Sequence, residues 1–337
     1  MKNSISILSL FFCFLVFSSC SEDDSVTETE AVGSISDYSG TGSVTQGLAT
    51  TTTTNLFDCG GRVAGVGTIN DTEGNSWVVP AENNYANSSF PFASDLNNTC
   101  SGNNYENTAQ AVAALQTSNI VEIDSDGEVI TAFVFADNYF EMYVNGIAVG
   151  KDNVPFTQFN SDIVQFKVNR PFSVVMKLID WEENLGLGTE DNQGSAYHPG
   201  DGGMVAAFRD ESDETIAVTD ASWKAQTFYT APVKDLTCLS ENGTQRLSSN
   251  CDTSGSDNGS NYYGIHWEVP GDWTNETFDD SSWPDATTYT NATIGVDNKS
   301  SYTNFTDIFD DSSNDAQFIW STNVILDNEV IVRKTID

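Results

Sequence analysis

The stretch Val129-Ile130-Thr131-Ala132-Phe133-Val134-Phe135-Ala136-Asp137-Asn138-Tyr139-Phe140-Glu141-Met142-Tyr143-Val144-Asn145-Gly146 decides the fold class. It is dominated by β-branched and aromatic side chains, which suit a pleated surface better than a helix. Its two apolar runs, Val129 to Phe135 and Tyr139 to Val144, have strand length and end at turn residues. Asn145-Gly146 fits a two-residue hairpin turn because both residues tolerate positive φ. Similar runs recur at Ile163 to Val168, Ser173 to Ile179, Met204 to Phe208 and Val330 to Thr335. Turn chemistry punctuates them at Asp126-Gly127, Gly186 to Gly188 and Gly200 to Gly203. Only Ala109 to Gln116 carries a helical pattern. With no helices alternating with the strands, a parallel α/β fold is excluded and an all-β sandwich is expected.

The chain has 337 residues, with 13 Lys+Arg against 49 Asp+Glu and a formal net charge of −36. Such a surface repels polyanions, so no nucleic acid is expected as a partner. The sequence is nonetheless 39% hydrophobic and 11% aromatic, enough to build a core, so the acidity coats a folded body.

At the N-terminus, Lys2 precedes an apolar run from Ile5 to Phe17 that is broken only by Ser6 and Ser9 and ends at Ser18-Ser19-Cys20. This is the pattern of a secretory signal over residues 1–19. Small residues directly before a cysteine resemble the lipobox of bacterial lipoproteins, although Phe17 replaces the usual Leu; the resemblance implies that Cys20 carries a lipid anchor. Ser21-Glu22-Asp23-Asp24 resembles the export signal of Bacteroidetes surface lipoproteins, which implies an outer-membrane, cell-surface location. Residues 20–55 are rich in Ser, Thr, Gly and acid, include the run Thr50 to Thr54, and are expected to form a flexible tether. An N-terminal lobe over residues 56–120 and a β-sandwich over 121–337 follow, with a division into two sandwiches near 240–260 left open.

Besides Cys13 and Cys20, four cysteines remain: Cys59, Cys100, Cys238 and Cys251. An exported chain with no CxxC pair and only two histidines, His198 and His266, points to disulfides rather than a zinc cluster. Sequence order favours Cys59 with Cys100 and Cys238 with Cys251, each bridge contributing about 3 to 4 kcal/mol.

Two stretches resemble the galactose-binding-like jelly-roll modules attached to many bacterial glycosidases. One is Ala136 to Gly146; the other runs from Trp273 to Ala286 around Phe278-Asp279-Asp280-Ser281-Ser282-Trp283-Pro284, followed by Trp320 and Arg333 to Ile336. In those modules the Asp-Asp-Ser-Ser-Trp element usually precedes the hairpin, and here it follows. The resemblance implies a jelly-roll sandwich and carbohydrate as a ligand class.

Asp180, Glu182, Glu183 and Glu190 cluster around Trp181 and a glycine-rich turn. Their hard oxygens suit calcium, and paired carboxylates suit glycoside hydrolysis; the plain alternative is a solvated acidic loop. Asp124-Ser125-Asp126-Gly127-Glu128 begins like a calcium loop but lacks the later bidentate acid, so a hairpin turn is expected there. Tyr197-His198-Pro199-Gly200-Asp201 is a compact polar turn with no Gly-x-Ser-x-Gly elbow beside it. Trp181, Tyr197, Trp223, Trp267, Trp273 and Trp283 offer flat faces for a sugar ring. Of these, Trp181 and Tyr197, with His198 and Asp201, are expected to form an exposed carbohydrate platform. The leading expectation is a non-catalytic surface lipoprotein that binds an extracellular glycan, with calcium as a structural ion. The rivals are a glycosidase or lyase using acids of the 180–190 loop, and a structural adhesion protein.

Overall fold

A computed structural model describes residues 34–60, 62–156, 159–185, 188–191, 194–255 and 257–337. The expected signal, the expected lipidation site Cys20 and the expected tether up to residue 33 lie outside the described residues. No described helix is long and apolar enough to cross a membrane.

The fold is an all-β sandwich. Its first sheet has seven antiparallel strands in the order Ser43–Gln46, Tyr263–His266, Lys224–Val233, Asp327–Ile336, Phe172–Ile179, Tyr139–Val144 and Ile147–Lys151. The second sheet runs Thr287–Tyr289, Phe318–Trp320, Gly203–Arg209, Glu128–Asp137, Ser161–Val168, Ser94–Asn98 and Asn103–Asn104. Thr215–Val218 and Val121–Glu122 attach to that path as side strands. Alternation sorts the side chains of the first sheet. Phe140, Met142, Val144, Val174, Met176, Leu178, Val330 and Val332 point into the core shared with Ile130, Ala132, Ile163 and Val205 of the second sheet.

The opposite face of the first sheet does not meet water either. Val175, Phe228, Ile265 and Ile331 pack beneath Trp267 and Trp283, supplied by the 267–283 segment. A small sheet of Thr50–Thr53, Val66–Asn70 and Ser76–Val79 lies beside it, tied through Val79, Tyr229 and Ala231. The disulfides join Cys59 to Cys100 and Cys238 to Cys251, the pairing that sequence order favours. In the Asp-Asp-Ser-Ser-Trp element, Asp279 accepts the Ser281 N–H at 3.0 Å and Asp280 accepts Arg333 Nε at 3.0 Å. That element works as a turn.

Three expectations need correcting. Ser43–Gln46 and Thr50–Thr53 belong to sheets, not to a tether: Ser43 pairs with His266 and Thr50 with Thr68. Serine and threonine lower hydropathy, but threonine is β-branched and pairs readily at an edge. Residues 56–120 do not form a separate lobe, because Ser94–Asn98 pairs with Ser161–Val168 inside the second sheet. The turn at Asp126-Gly127 forms, but it does not close a hairpin: Val121–Glu122 runs parallel to Ser161–Val168. Asp124 and Asp126 instead accept hydrogen bonds from Asn169 at 2.9 and 3.0 Å.

Candidate functional site

The acidic loop after Phe172–Ile179 folds back over the end of the sandwich and builds a cavity of about 110 Å³. Asp137, Asp180, Glu182, Glu190 and Asp201 line it, together with Asn138, Trp181 and Phe156; Arg62 is the only basic side chain on its wall among the described residues. Asp137 and Asn138 sit where Glu128–Asp137 gives way to Tyr139–Val144, and Asp201 precedes Gly203–Arg209, so adjoining strand ends deliver the acids to one place.

The loop is not the solvated edge its composition suggests. Asp180 is 2% exposed and Glu182 5%. Glu182 Oε1 accepts the Gly200 N–H at 2.6 Å, while Glu182 Oε2 and Asp180 Oδ2 are buried and have no hydrogen-bond partner among the described residues. Burial pushes the carboxyls of Asp137, Asp180 and Glu182 well above the carboxylate range, and neighbouring acids push them further. The Asp201 carboxyl is pushed up to about 6 by burial and then by Glu190, with His198 opposing.

Of the four residues expected to bind calcium, Asp180, Glu182 and Glu190 share this cavity and Glu183 does not line it. Arg62 draws Glu183 away through its Nε at 3.2 Å and also pairs with Glu190. Glu190 accepts a second contact from His198 Nε2 at 3.0 Å. Among the described residues, no group of three or more His, Cys, Asp or Glu side chains is arranged to hold a metal ion.

The carbohydrate platform expected at Trp181 is not there. Trp181 is fully buried: its ring meets Tyr139 edge-on at 6.0 Å, its indole N–H donates to Gly65 O at 2.8 Å, and its backbone N–H donates to Asn138 Oδ1 at 2.5 Å. The acids beside it suggested exposure, but those acids are themselves buried, so the flanks misled. Tyr197 is half-buried and does not line the cavity, whereas Asp201 does. Asp137, Asn138 and Arg62 went unnamed as site residues, and only the position of Asp137-Asn138 between two clear strands hinted at a strand-end site.

A second concavity, of about 290 Å³, opens on the outward face of the first sheet. Its floor is Lys177, Glu329 and Phe228; Trp77 stands on one wall and Trp267, Glu268 and Trp273 on the other. The floor follows from register. Lys177 and Glu329 alternate with the core residues Met176, Leu178 and Val330 and therefore point outward, where Lys177 Nζ meets Glu329 Oε1 at 3.1 Å. Lys177 also donates to Glu82 O at 2.9 Å and lies 5.4 Å from the Trp273 ring centroid.

Trp77 is held in place by its indole N–H on Asp71 Oδ2 at 3.1 Å and by stacking on His266 at 5.0 Å. Trp267 is buried, whereas Trp77 and Trp273 are half-buried and leave ring surface open to the cleft. Trp267 and Trp273 were among the aromatic candidates. Trp77 was not, although it follows the polar turn Asp71-Thr72-Glu73-Gly74-Asn75 at the start of a strand, the position of an edge aromatic. No protein-family model matches the chain, and the comparisons with curated proteins and with solved structures give no match.

Proposed function

We propose that this chain is a non-catalytic, lipid-anchored protein of the outer-membrane surface that binds a neutral extracellular glycan in the cleft between Trp77 and Trp273. The observation that carries this reading is the pair of partly open indole rings over a polar floor. Sugar recognition needs an apolar plate for the ring face and fixed polar groups for the hydroxyls. Glu82, Glu268 and the Lys177–Glu329 pair supply the polar groups. The net charge of −36 favours neutral over uronic or sulfated chains, which would be repelled. The lipobox-like Ser18-Ser19-Cys20 and the acids after it support surface anchoring.

Affinity electrophoresis against neutral and anionic polysaccharides, with and without calcium, tests the proposal. At least one neutral polysaccharide should retard the protein. Trp77→Ala and Trp273→Ala should each weaken that retention about tenfold, or ~1.4 kcal/mol, the size of one aromatic contact. Binding to none of the neutral chains would reject the proposal in favour of a structural adhesion role, and binding untouched in both variants would remove the cleft from it.

A second reading, polysaccharide cleavage, is favoured by the acid cavity. It gathers carboxyls with raised affinity for protons in one small cavity, and a carboxyl held protonated can serve as a general acid in glycoside hydrolysis. Reducing-sugar release from mixed algal polysaccharides that disappears in Asp201→Asn would establish it; no release from any of them would end it.

A further inference from the structure

We infer that Asp152 and Asp162, which line neither the acid cavity nor the aromatic cleft, hold a calcium-type divalent cation at the end of the second sheet. Asp152 follows the edge strand Ile147–Lys151, and Asp162 lies in Ser161–Val168. The Asn160 side-chain amide bridges them, donating to Asp152 Oδ1 at 2.9 Å and to Asp162 Oδ2 at 3.0 Å. The two carboxylates therefore flank one amide nitrogen. Their other oxygens, Asp152 Oδ2 and Asp162 Oδ1, are buried and have no hydrogen-bond partner among the described residues.

The adjoining strand pair holds two more buried polar side chains in the same condition. The strand register sets Asn97 opposite Ser161 and Asp95 opposite Asp162. Asn97 Oδ1 and Nδ2 and Ser161 Oγ are likewise buried and unpartnered among the described residues. All four residues are at most 1% exposed.

Among the described residues, no ion pair reaches Asp152 or Asp162. The neighbouring Lys151 directs its ammonium to the carbonyls of Asn84, Tyr85 and Asn87 at 2.7, 2.7 and 2.8 Å. Asp95 is already saturated by Asn98, Asn153, Ser101 and Asn103. Two buried carboxylates without a counter-charge are among the most unfavourable arrangements a core can hold. The two carboxylates supply hard oxygen ligands of the kind calcium takes, with backbone, side-chain or water oxygens completing the shell.

The test is calcium binding to the full mature chain after EDTA treatment, measured by equilibrium dialysis against calcium with magnesium in excess. Magnesium occupies the diffuse acidic surface, so one calcium per chain should persist. Asp162→Asn should weaken that ion at least about 100-fold, the scale of losing a carboxylate ligand, while Glu182→Gln in the acid cavity should leave it unchanged. Absence of a magnesium-resistant calcium, or an unchanged affinity in Asp162→Asn, overturns the inference. If Asp162→Asn does not fold, hydrogen exchange on the wild-type chain decides the matter. Calcium should slow exchange in Ser94–Asn98 and Ser161–Val168, and protection confined to residues 180–185 and 198–203 would place the ion in the acid cavity and overturn it.

Discussion

Replacing Glu182 by Gln tests whether the acid cavity neutralises its charge with bound protons. Glu182 Oε1 accepts the Gly200 N–H at 2.6 Å, and a glutamine amide oxygen keeps that bond. Burial and the charge of Glu190 hold the folded carboxyl above its ordinary range, whereas in the unfolded chain it titrates near 4.3. A group raised in this way binds more protons in the native state, so stability is fully present below the unfolded value and is lost as pH rises through the folded one. While the proton stays bound, each pH unit above the unfolded value costs about 1.36 kcal/mol, which comes to ~1 kcal/mol at pH 5 and ~5 kcal/mol at pH 8. Glutamine has no such penalty. The stability of Glu182→Gln relative to wild type should therefore grow between pH 5 and pH 8, by at most ~4 kcal/mol. Protons shared with Asp180, which titrates with it, bring the gain below that limit. Urea unfolding at pH 5, 6.5 and 8 measures the difference by linear extrapolation. A gain that does not change with pH, or a variant less stable than wild type at pH 8, would refute the reasoning, because it would mean that the Glu182 charge is ionised and already matched by a cation.

Trp181→Ala should destabilise the fold by about 3 to 5 kcal/mol, since it empties a fully buried site and strands the Gly65 carbonyl. Glycan retention measured well below the melting temperature should stay as in wild type, and a selective loss of binding would restore Trp181 to the ligand site. His266 is held down to about 3 by burial, packed between Trp77 and Tyr229 and within 2.9 Å of Thr45 Oγ1. Its ring resonances should stay flat from pH 8 to pH 4, and the stability it contributes as a neutral ring should be lost as pH falls from ~6.5 towards 3, the unfolded histidine taking up its proton first. An imidazole that titrates near 6 in the folded state would contradict that packing.

The strands were legible because each carries its own evidence. Tyr139–Val144 falls where the apolar run between Asn138 and Asn145 placed it, and the positive φ of 48° at Asn145 and 80° at Gly146 makes the turn that the dipeptide announced. Thr50–Thr53 was misread because its evidence lies elsewhere: a threonine run is a tether or an edge strand according to whether a partner such as Val66–Asn70 lies beside it. The sites depend on partners in the same way, and more heavily. Trp77 and Trp267 become one cleft only when two sheets meet, and Arg62 reaches Glu183 and Glu190 only after the chain closes over the strand ends.

Local sequence was worse than silent at Trp181, where flanking acids are a sound sign of exposure for a loop in water but not for carboxylates enclosed by one another. Asp152 and Asp162 show the opposite failure. Each sits in an ordinary polar triplet at a strand end, Lys151-Asp152-Asn153 and Asn160-Ser161-Asp162, which reads as turn chemistry. What sets them apart is burial without a counter-charge, and burial is a property of the assembled sheets. The chemistry of this chain therefore concentrates where strands end and loops are drawn inward. Those are the positions at which composition stops reporting the environment of a side chain, so the charges that a sequence reader would assign to solvent are the ones that need a proton, an arginine or a metal ion in the fold.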